Sequence, residues 1–221
     1  MKTKRPYSGI VAHYENCLKL FGDSHLGVDW QKSEDADKRY QVMLDVIQHK
    51  KNDCSTLLDF GCGTAALLDY INKNNIHHIQ YAGLDISQAF IDVCKNKYSN
   101  ISFFNIDILQ SNISLPSFDY IIMNGVFTEK IDLTFEQMFV YFCSMIEKIY
   151  PYCKQAMAFN LRSKQVELED AELFHLSLDE LAWFLTNKFG RCFRIRNDYG
   201  LEEYTVYLYK NMVNGNSLKE S

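Results

Sequence analysis

Two glycines and a nearby acid form the segment of this sequence whose residue types best suit the binding of a ligand. Asp59 lies in a short apolar run that begins at Thr56, and Gly61 and Gly63 follow it at alternate positions. From Ala65 onward, apolar residues recur at helical spacing. A strand, a glycine turn and a helix in this order bring backbone N–H groups and a helix N-terminus up to a ligand. Glycine is needed because a Cβ atom would obstruct both the turn and the ligand.

Two further acids follow predicted strands. Asp85 ends an apolar segment that begins at Ile79, and it lies 22 residues after Gly63 (85 − 63). A carboxylate at the end of the second strand can accept hydrogen bonds from both hydroxyl groups of a ribose. Asp107 follows the third predicted strand, residues 101–106. The alternatives are that Asp85 only interacts with a helix dipole and that Asp107 lies in a plain surface turn.

This ordered series resembles the class I S-adenosylmethionine-dependent methyltransferases. Their first motif is an acid, one residue and Gly-x-Gly-x-Gly; here Ala65 stands at the third glycine. The resemblance implies that S-adenosyl-L-methionine is the cofactor, that Asp85 binds its ribose, and that Asp107 bonds the adenine amino group while Ile108 packs on the ring. The cofactor-binding residues that it implies are Asp59, Gly61, Cys62, Gly63, Asp85, Ile86, Asp107, Ile108 and Asn124.

The apolar periodicity predicts strands that alternate with helices. The predicted helices are 8–21, 33–48, 65–71, 88–97, 134–150 and 177–189. The predicted strands are 55–60, 79–87, 101–106, a fourth strand within 117–127 (a range that includes the loop after it), 155–161, 191–196 and 203–210. The last two strands are joined so tightly that they must be antiparallel, as in the family that the chain resembles. The expected fold is α/β: a single Rossmann-like, seven-stranded, mostly parallel sheet with an antiparallel C-terminal hairpin and helices on both faces.

Three segments are expected along the chain. Residues 1–50 form an N-terminal helical cap, residues 51–211 form the cofactor-binding methyltransferase core, and residues 212–221 form a flexible tail. In the family that the chain resembles, such a cap often covers the cofactor and closes the substrate pocket. The candidates for the cap and the substrate pocket are Tyr7, His13, Tyr14, Trp30, Phe127, Arg162 and Tyr199. Each of them has the alternative of a packing or surface position.

Whether the enzyme needs a catalytic base depends on whether the acceptor atom must lose a proton. A hydroxyl acceptor usually needs a general base or a metal ion, whereas an amine acceptor must only be neutral. Glu129 and His175 are the candidate bases, although a lone histidine is more often structural. Because no Asp, Glu and His residues have the spacing of metal ligands, the sequence predicts no metal site.

The composition and net charge of the chain limit the classes of partner that it could bind. A net charge of −5 without a basic stripe argues against a nucleic-acid substrate. Seven cysteines without a C-x-x-C pair indicate reduced thiols rather than a disulfide framework or a zinc site. The sequence has no apolar run of membrane-spanning length, and its first six residues lack the apolar part of a signal peptide. We therefore expect a cytoplasmic protein without membrane contact, and the oligomeric state is left open.

The expected function is S-adenosylmethionine-dependent methyl transfer to a small-molecule acceptor by in-line displacement. The aromatic cap and the acidic chain favour a small acceptor over nucleic acid. Three alternatives remain at this point: a protein or peptide methyltransferase, an NAD-type oxidoreductase that would use the same glycine turn and Asp85, and a non-catalytic cofactor-binding module. The sequence names neither the acceptor nor the methylated atom.

Overall fold

One mixed sheet organises the computed structural model of the chain, which describes residues 5–30, 32–47, 54–110 and 113–210. Within these residues, the helices are α1 (Ser8–Phe21), α2 (Glu34–Leu44), α3 (Ala66–Lys73), α4 (Gln88–Lys97), α5 (Phe135–Ile149) and α6 (Leu178–Phe189). The strands are β1 (Ser55–Phe60), β2 (Ile79–Asp85), β3 (Ser102–Asn105), β4 (Phe118–Met123), β5 (Cys153–Ser163), β6 (His175–Leu176), β7 (Phe193–Arg196) and β8 (Glu203–Tyr209). Short 3₁₀ helices occupy Leu26–Val28 and Tyr150–Tyr152.

The strand order is β3-β2-β1-β4-β5-β8-β7, and β6 pairs with the end of β5. Strands β1 to β5 are mutually parallel, whereas β8 is antiparallel to both β5 and β7. The predicted fold class, with its antiparallel terminal hairpin, is thus confirmed. The direction of winding reverses between β1 and β4, and in open α/β sheets this reversal opens a crevice at the carboxyl ends of the strands.

The core on one face of the sheet is a cluster of aromatic rings around Phe142 of α5. Phe142 is fully buried, and its ring lies 5.0 Å from that of Phe127, 5.7 Å from Phe159 and 5.5 Å from Phe184. Helix α5 begins with a capping box in which Thr134 and the third helical residue, a glutamine, exchange hydrogen bonds. The apolar stripe of α5 therefore packs α6 against the central strands.

The cap is tied to the core by polar contacts. The Ser87 hydroxyl, at the start of α4, donates to Glu15 of α1 over 2.7 Å. Arg39 of α2 forms an ion pair with the buried Glu203 of β8 at 3.0 Å. Helix α1 is thus tied to α4, which borders the crevice, and α2 is tied to β8.

Several boundaries differ from the prediction by a few residues, and one short strand was not predicted. Helix α2 ends at Leu44 rather than at 48, because the backbone turns there and the Ile47 N–H donates to the Leu44 carbonyl oxygen. Strand β5 extends to Ser163, since it pairs with β8 as far as Arg162. Strand β6 has only two residues, too few for any periodicity to indicate it. The predicted tail and the boundary between residues 50 and 51 lie outside the described residues.

Among the described helices, the longest apolar stretches are too short and too polar to cross a bilayer.

Phe142→Ala tests the aromatic cluster. Deleting a fully buried ring leaves a cavity, so the free energy of unfolding should fall by about 3–5 kcal/mol. Val140→Ala, on the same helix but 63% exposed, is the matched control and should change stability by less than about 0.5 kcal/mol. Urea unfolding of the three proteins measures both values, and an equal loss in the two variants would contradict the assigned core.

Candidate functional site

A cleft lies at the carboxyl ends of β1, β2 and β4, where the strand order reverses. Its roof is the lid, by which we mean α1 and the segment 22–30, and its empty volume, counted out to open solvent, is about 910 Å³. Nine of the residues predicted from the sequence line this cleft: Tyr14, Trp30, Asp59, Gly61, Cys62, Gly63, Asp85, Ile86 and Asn124. The cleft is of the size and position that suit a nucleoside ligand.

The turn after β1 has left-handed backbone at alternate residues. The φ angles are +73° at Gly61, +52° at Gly63 and +63° at Ala65. A Cβ atom on Gly61 would lie only 2.7 Å from a methyl group of Val126, and one on Gly63 would lie 3.0 Å from a methyl group of Val28. The first two glycines therefore bring the lid and the loop after β4 against the turn. Ala65 takes the left-handed conformation at a cost of about 1–2 kcal/mol.

Asp85 sits at the junction of the turn and the end of β2. Its buried carboxylate accepts hydrogen bonds from the N–H groups of Gly63 (3.0 Å) and Ser87 (2.9 Å). Burial raises the pKa of Asp85 to about 6, and the two backbone N–H groups oppose this shift. The group is thus ionised at neutral pH, and its carboxylate can accept further hydrogen bonds from the hydroxyls of a ribose.

Asp59 is a second buried acid on the floor of the cleft. The Tyr81 hydroxyl donates to its carboxylate over 2.7 Å. Burial raises the pKa of Asp59 to about 7, and the charge of Asp85 contributes to the rise. Because both protonation states are populated near neutral pH, Asp59 can either donate or accept a hydrogen bond.

The side chain of Asn124, just after β4, carries a hydrogen-bond acceptor that lacks a donor. Its Oδ1 atom is buried and has no hydrogen-bond partner among the described residues, and the residue lines the cleft. The adjacent Gly125 N–H donates to Asn160 Oδ1 over 2.7 Å, and Asn160 donates in turn to Glu203 over 3.1 Å. A buried acceptor without a donor is costly, so a ligand amine or hydroxyl would bind there favourably.

Asp107 and Ile108 border a smaller adjoining cavity of about 370 Å³, which shares Gly61 and Asp85 with the cleft. Ile108 is buried, as a residue that packs on a ring should be. The Asp107 carboxylate is already engaged: it accepts from the Tyr7 hydroxyl at 2.7 Å and pairs with Arg5 at 2.6 Å. An adenine amino group at this acid would have to share it with the N-terminal segment.

The lid closes on the loop after β4. The Tyr14 hydroxyl lies 3.5 Å from the Gly125 carbonyl oxygen, and the Trp30 ring lies so near Gly125 that a Cβ there would be 3.4 Å from the indole nitrogen. The Arg39 guanidinium stacks over Trp30 at 5.3 Å. Tyr14 and Trp30 are therefore placed on the cleft, whereas His13 points away from it, with its Nε2 atom 2.7 Å from Asp29.

Three predicted substrate residues do not line either cavity. Phe127 is fully buried in the aromatic core. Tyr199 is also buried, with its hydroxyl 2.9 Å from that of Thr205. Arg162 pairs with Glu202 at 2.9 Å. Burial in the core thus accounts for Phe127 and Tyr199, and the prediction that these two contact the substrate is corrected. The predicted contact of Arg162 stays a prediction.

The two candidate bases differ in their surroundings. His175 is buried and held by the backbone: its Nδ1 lies 2.6 Å from the Ser163 carbonyl oxygen and its Nε2 accepts from the Asp170 N–H at 3.3 Å. With both ring nitrogens engaged, this histidine is structural, and its prediction as a base is corrected. Glu129 is a buried carboxylate in the loop after β4, outside the set of cleft-lining residues.

The sequence analysis missed the polar network that supports the cleft. It runs from Arg39 through Glu203 and Asn160 to the Gly125 N–H, over bonds of 2.7–3.1 Å. The available signal was Asn160, an amide that interrupts the apolar run 156–161 within strand β5. The two partners of its side chain come from the loop after β4 and from β8, and no local pattern indicates them.

The comparisons with known proteins agree with this geometry. Residues 58–138 match the sequence model of a family described as a methyltransferase domain. A Mycobacterium tuberculosis protein provisionally named a methyltransferase, Rv1506c, is 19% identical over 160 residues, which cover 72% of this chain and 95% of that protein.

Two solved structures share the fold. One is the magnesium protoporphyrin IX methyltransferase of Synechocystis, crystallised with S-adenosylmethionine; its TM-score is 0.62 at 14% identity, over 95% of this chain and 100% of that one. The other is the small RNA methyltransferase HEN1, with a TM-score of 0.55 at 14% identity, over 80% of this chain and 25% of that one.

Residues 58–138 thus match a methyltransferase domain, and the chain has the fold of the class I S-adenosylmethionine-dependent methyltransferases. S-adenosylmethionine is the cofactor with which the Synechocystis enzyme of this fold was crystallised. The resemblance stated from the glycine turn and the acids is therefore confirmed. The roles of single residues in the cleft do not follow from the class and are treated below as proposals.

Asp85→Asn should weaken the binding of S-adenosylhomocysteine by about 100-fold, because hydrogen bonds to a charged acceptor contribute about 1.5–3 kcal/mol each. Isothermal titration measures the affinity. Asp92→Asn, an exposed acid on α4, is the matched control and should leave it unchanged. Equal affinities of the wild type and Asp85→Asn would show that Asp85 does not bind the ligand.

The stability of the folded protein should depend on pH through Asp59 on the floor of the cleft. Asp59 has a folded-state pKa of about 7, above its ordinary value of 3.8, so the folded protein binds its proton more tightly than the unfolded chain does. The free energy of unfolding should therefore decrease as pH rises from about 4 through 7. Asp59→Asn should flatten this decrease by on the order of 2 kcal/mol. Urea unfolding at pH 5 and pH 7.5 measures the difference, and parallel profiles would contradict it.

Proposed function

We propose that this methyltransferase acts on a small-molecule acceptor bound between the lid and the loop after β4. The observation that carries the proposal is the covered cleft at the β1–β4 switch point, with an anionic Asp85 at one end and the unmatched Asn124 acceptor at the other. The two ends match a nucleoside and an amino-acid moiety. The fit of the cofactor thus rests on this chain's own donors and acceptors.

Each of these residues is proposed to bind a different part of the cofactor. Asp85 accepts the ribose hydroxyls, and the turn at Gly61 and Gly63 lets the backbone approach the ligand. Asn124 accepts from the amino group at the other end. Ile108 and Asp107 receive the base, with Asp107 shared between the ligand and the N-terminal segment. Cys62 keeps its proton, because its hydrogen bond with Cys94 and its burial raise the pKa of its thiol, and it packs rather than reacts.

The lid supports the choice of a small acceptor. Bound S-adenosylmethionine supplies an electrophilic methyl group, and transfer needs an aligned acceptor in a dry site. Tyr14 and Trp30 cover the cleft beside Gly125. A folded RNA would need an open, basic approach, and the chain carries a net charge of −5. Because HEN1 has the same fold and is an RNA methyltransferase, the covered cleft and the net charge, rather than the fold, support a small acceptor.

Glu129 is the residue proposed to take a proton if the acceptor is a hydroxyl. It lies in the loop after β4, beyond the Gly125 segment that the lid covers. Its carboxylate is buried. Glu129→Gln should then reduce turnover about 100-fold or more while the affinity for S-adenosylhomocysteine stays within about twofold. An unchanged rate would mean that the acceptor needs no base.

The proposed function is tested by methyl-labelled S-adenosylmethionine and a panel of small molecules, a peptide library and total RNA. We expect label transfer to one or more small molecules, lost in Asp85→Asn and retained in Asp92→Asn. NADH serves as the competing ligand in a binding assay and should not displace S-adenosylhomocysteine. Transfer to RNA or to peptides alone would contradict the small-molecule proposal and leave the methyltransferase class intact.

A further inference from the structure

Three metal-ligating side chains converge on the far side of the lid. His13 and Cys17 belong to α1, and Asp29 follows the 3₁₀ turn Leu26–Val28. The His13 Nε2 atom is 2.7 Å from an Asp29 carboxylate oxygen and 3.8 Å from the Cys17 sulfur, and the three ligand atoms all lie within 4.8 Å of one another. None of the three residues lines the cofactor cleft.

The backbone fixes this convergence. His13 and Cys17 are four residues apart, which places both side chains on one face of α1. Asp29 has a φ of +56°, a left-handed conformation that few non-glycine residues adopt. Its N–H donates to the Leu26 carbonyl oxygen, and the next N–H, of Trp30, donates to His25. The carboxylate is therefore held against α1 by a turn that is bonded on both sides.

The donor set selects the kind of ion. An imidazole nitrogen, a sulfur and a carboxylate oxygen are a mixed set that suits Zn²⁺, whereas Mg²⁺ and Ca²⁺ prefer oxygen alone. Tetrahedral bonds of about 2.0–2.3 Å put donor atoms roughly 3.3–3.8 Å apart. The His13–Cys17 separation already fits, and the His13–Asp29 pair needs to open by roughly half an ångström.

We propose that His13, Cys17 and Asp29 bind a zinc ion, with the fourth position left for water. The ordinary alternative is a His13–Asp29 ion pair packed beside a buried thiol. The sequence did not indicate this site, because Asp29 is distant in the chain from the helical pair.

The ion would act on the lid rather than on the methyl group. His13 is followed by Tyr14, and Asp29 lies between Val28 and Trp30; these three neighbours all line the cofactor cleft. A zinc ion that joins α1 to the segment 22–30 would hold the two parts of the lid in one arrangement. Zinc should therefore raise the melting temperature and tighten the binding of S-adenosylhomocysteine, without contacting it.

The test is titration of the chelator-treated full chain with Zn²⁺, and with Co²⁺ for absorbance. We expect one equivalent to bind, with a thiolate-to-cobalt charge-transfer band. Cys17→Ser should remove the band and weaken zinc by on the order of tenfold or more, and Asp29→Asn should weaken it similarly. The control is the double variant Cys54→Ser, Cys192→Ser, which removes the two exposed thiols and should leave both signals unchanged.

Absence of zinc binding would overturn the proposal, and so would loss of binding in the exposed-thiol control alone. Equal zinc affinity in wild type, Cys17→Ser and Asp29→Asn would do the same. If Cys17→Ser does not fold, Asp29→Asn decides the outcome, since that change removes only the charge of an incompletely buried side chain. S-adenosylhomocysteine binding, measured in parallel, keeps a failure of the zinc site separate from a failure of the proposed function.

Discussion

The hydrogen bond from the Gly63 N–H to the Asp85 carboxylate is the contact on which the cleft depends. A buried anion must be satisfied, and here the backbone satisfies it from two directions, through Gly63 and Ser87. This bond joins the turn after β1 to the end of β2 and thereby fixes the position of the turn. The opposite side of the turn is held by α4, because the Cys94 thiol donates to the Gly63 carbonyl oxygen over 3.0 Å and Lys97 donates to that of Thr64 over 2.9 Å.

The second half of the cleft depends on a different buried charge. Glu203 pairs with Arg39 of the cap and accepts from Asn160, which in turn accepts from the Gly125 N–H. Removing one partner of a buried pair leaves the other charge unmatched, so this network links the cap to the loop beside the proposed acceptor. The lid and the loop after β4 are thus set by one chain of contacts, which explains why Trp30 and Gly125 lie so close together.

Much of the fold could be predicted because it depends on local patterns. The apolar run before Gly61, the left-handed turn and the tight terminal hairpin each express a constraint within a few residues. The errors lie where a contact joins distant residues. Nothing near His175 indicates that its ring nitrogens bond the backbone of Ser163 and Asp170.

The burial of Phe127 and Tyr199 likewise depends on contacts with distant residues, which local sequence patterns do not indicate. Both follow strands, where substrate residues are common, yet the core and the Glu203 network bury them. The engagement of Asp107 by Arg5 and Tyr7 spans about a hundred residues, and only the folded chain brings these groups together. Nine of the residues predicted from the sequence line the cleft, whereas His175, Phe127 and Tyr199 are buried outside it.

A crystal structure with S-adenosylhomocysteine would test the central claim most directly. The account predicts both ribose hydroxyls within hydrogen-bond distance of Asp85, the amino-acid end beside Asn124, and the adenine between Ile108 and the N-terminal segment. A ligand bound elsewhere, or one whose ribose leaves Asp85 bonded only to Gly63 and Ser87, would contradict it.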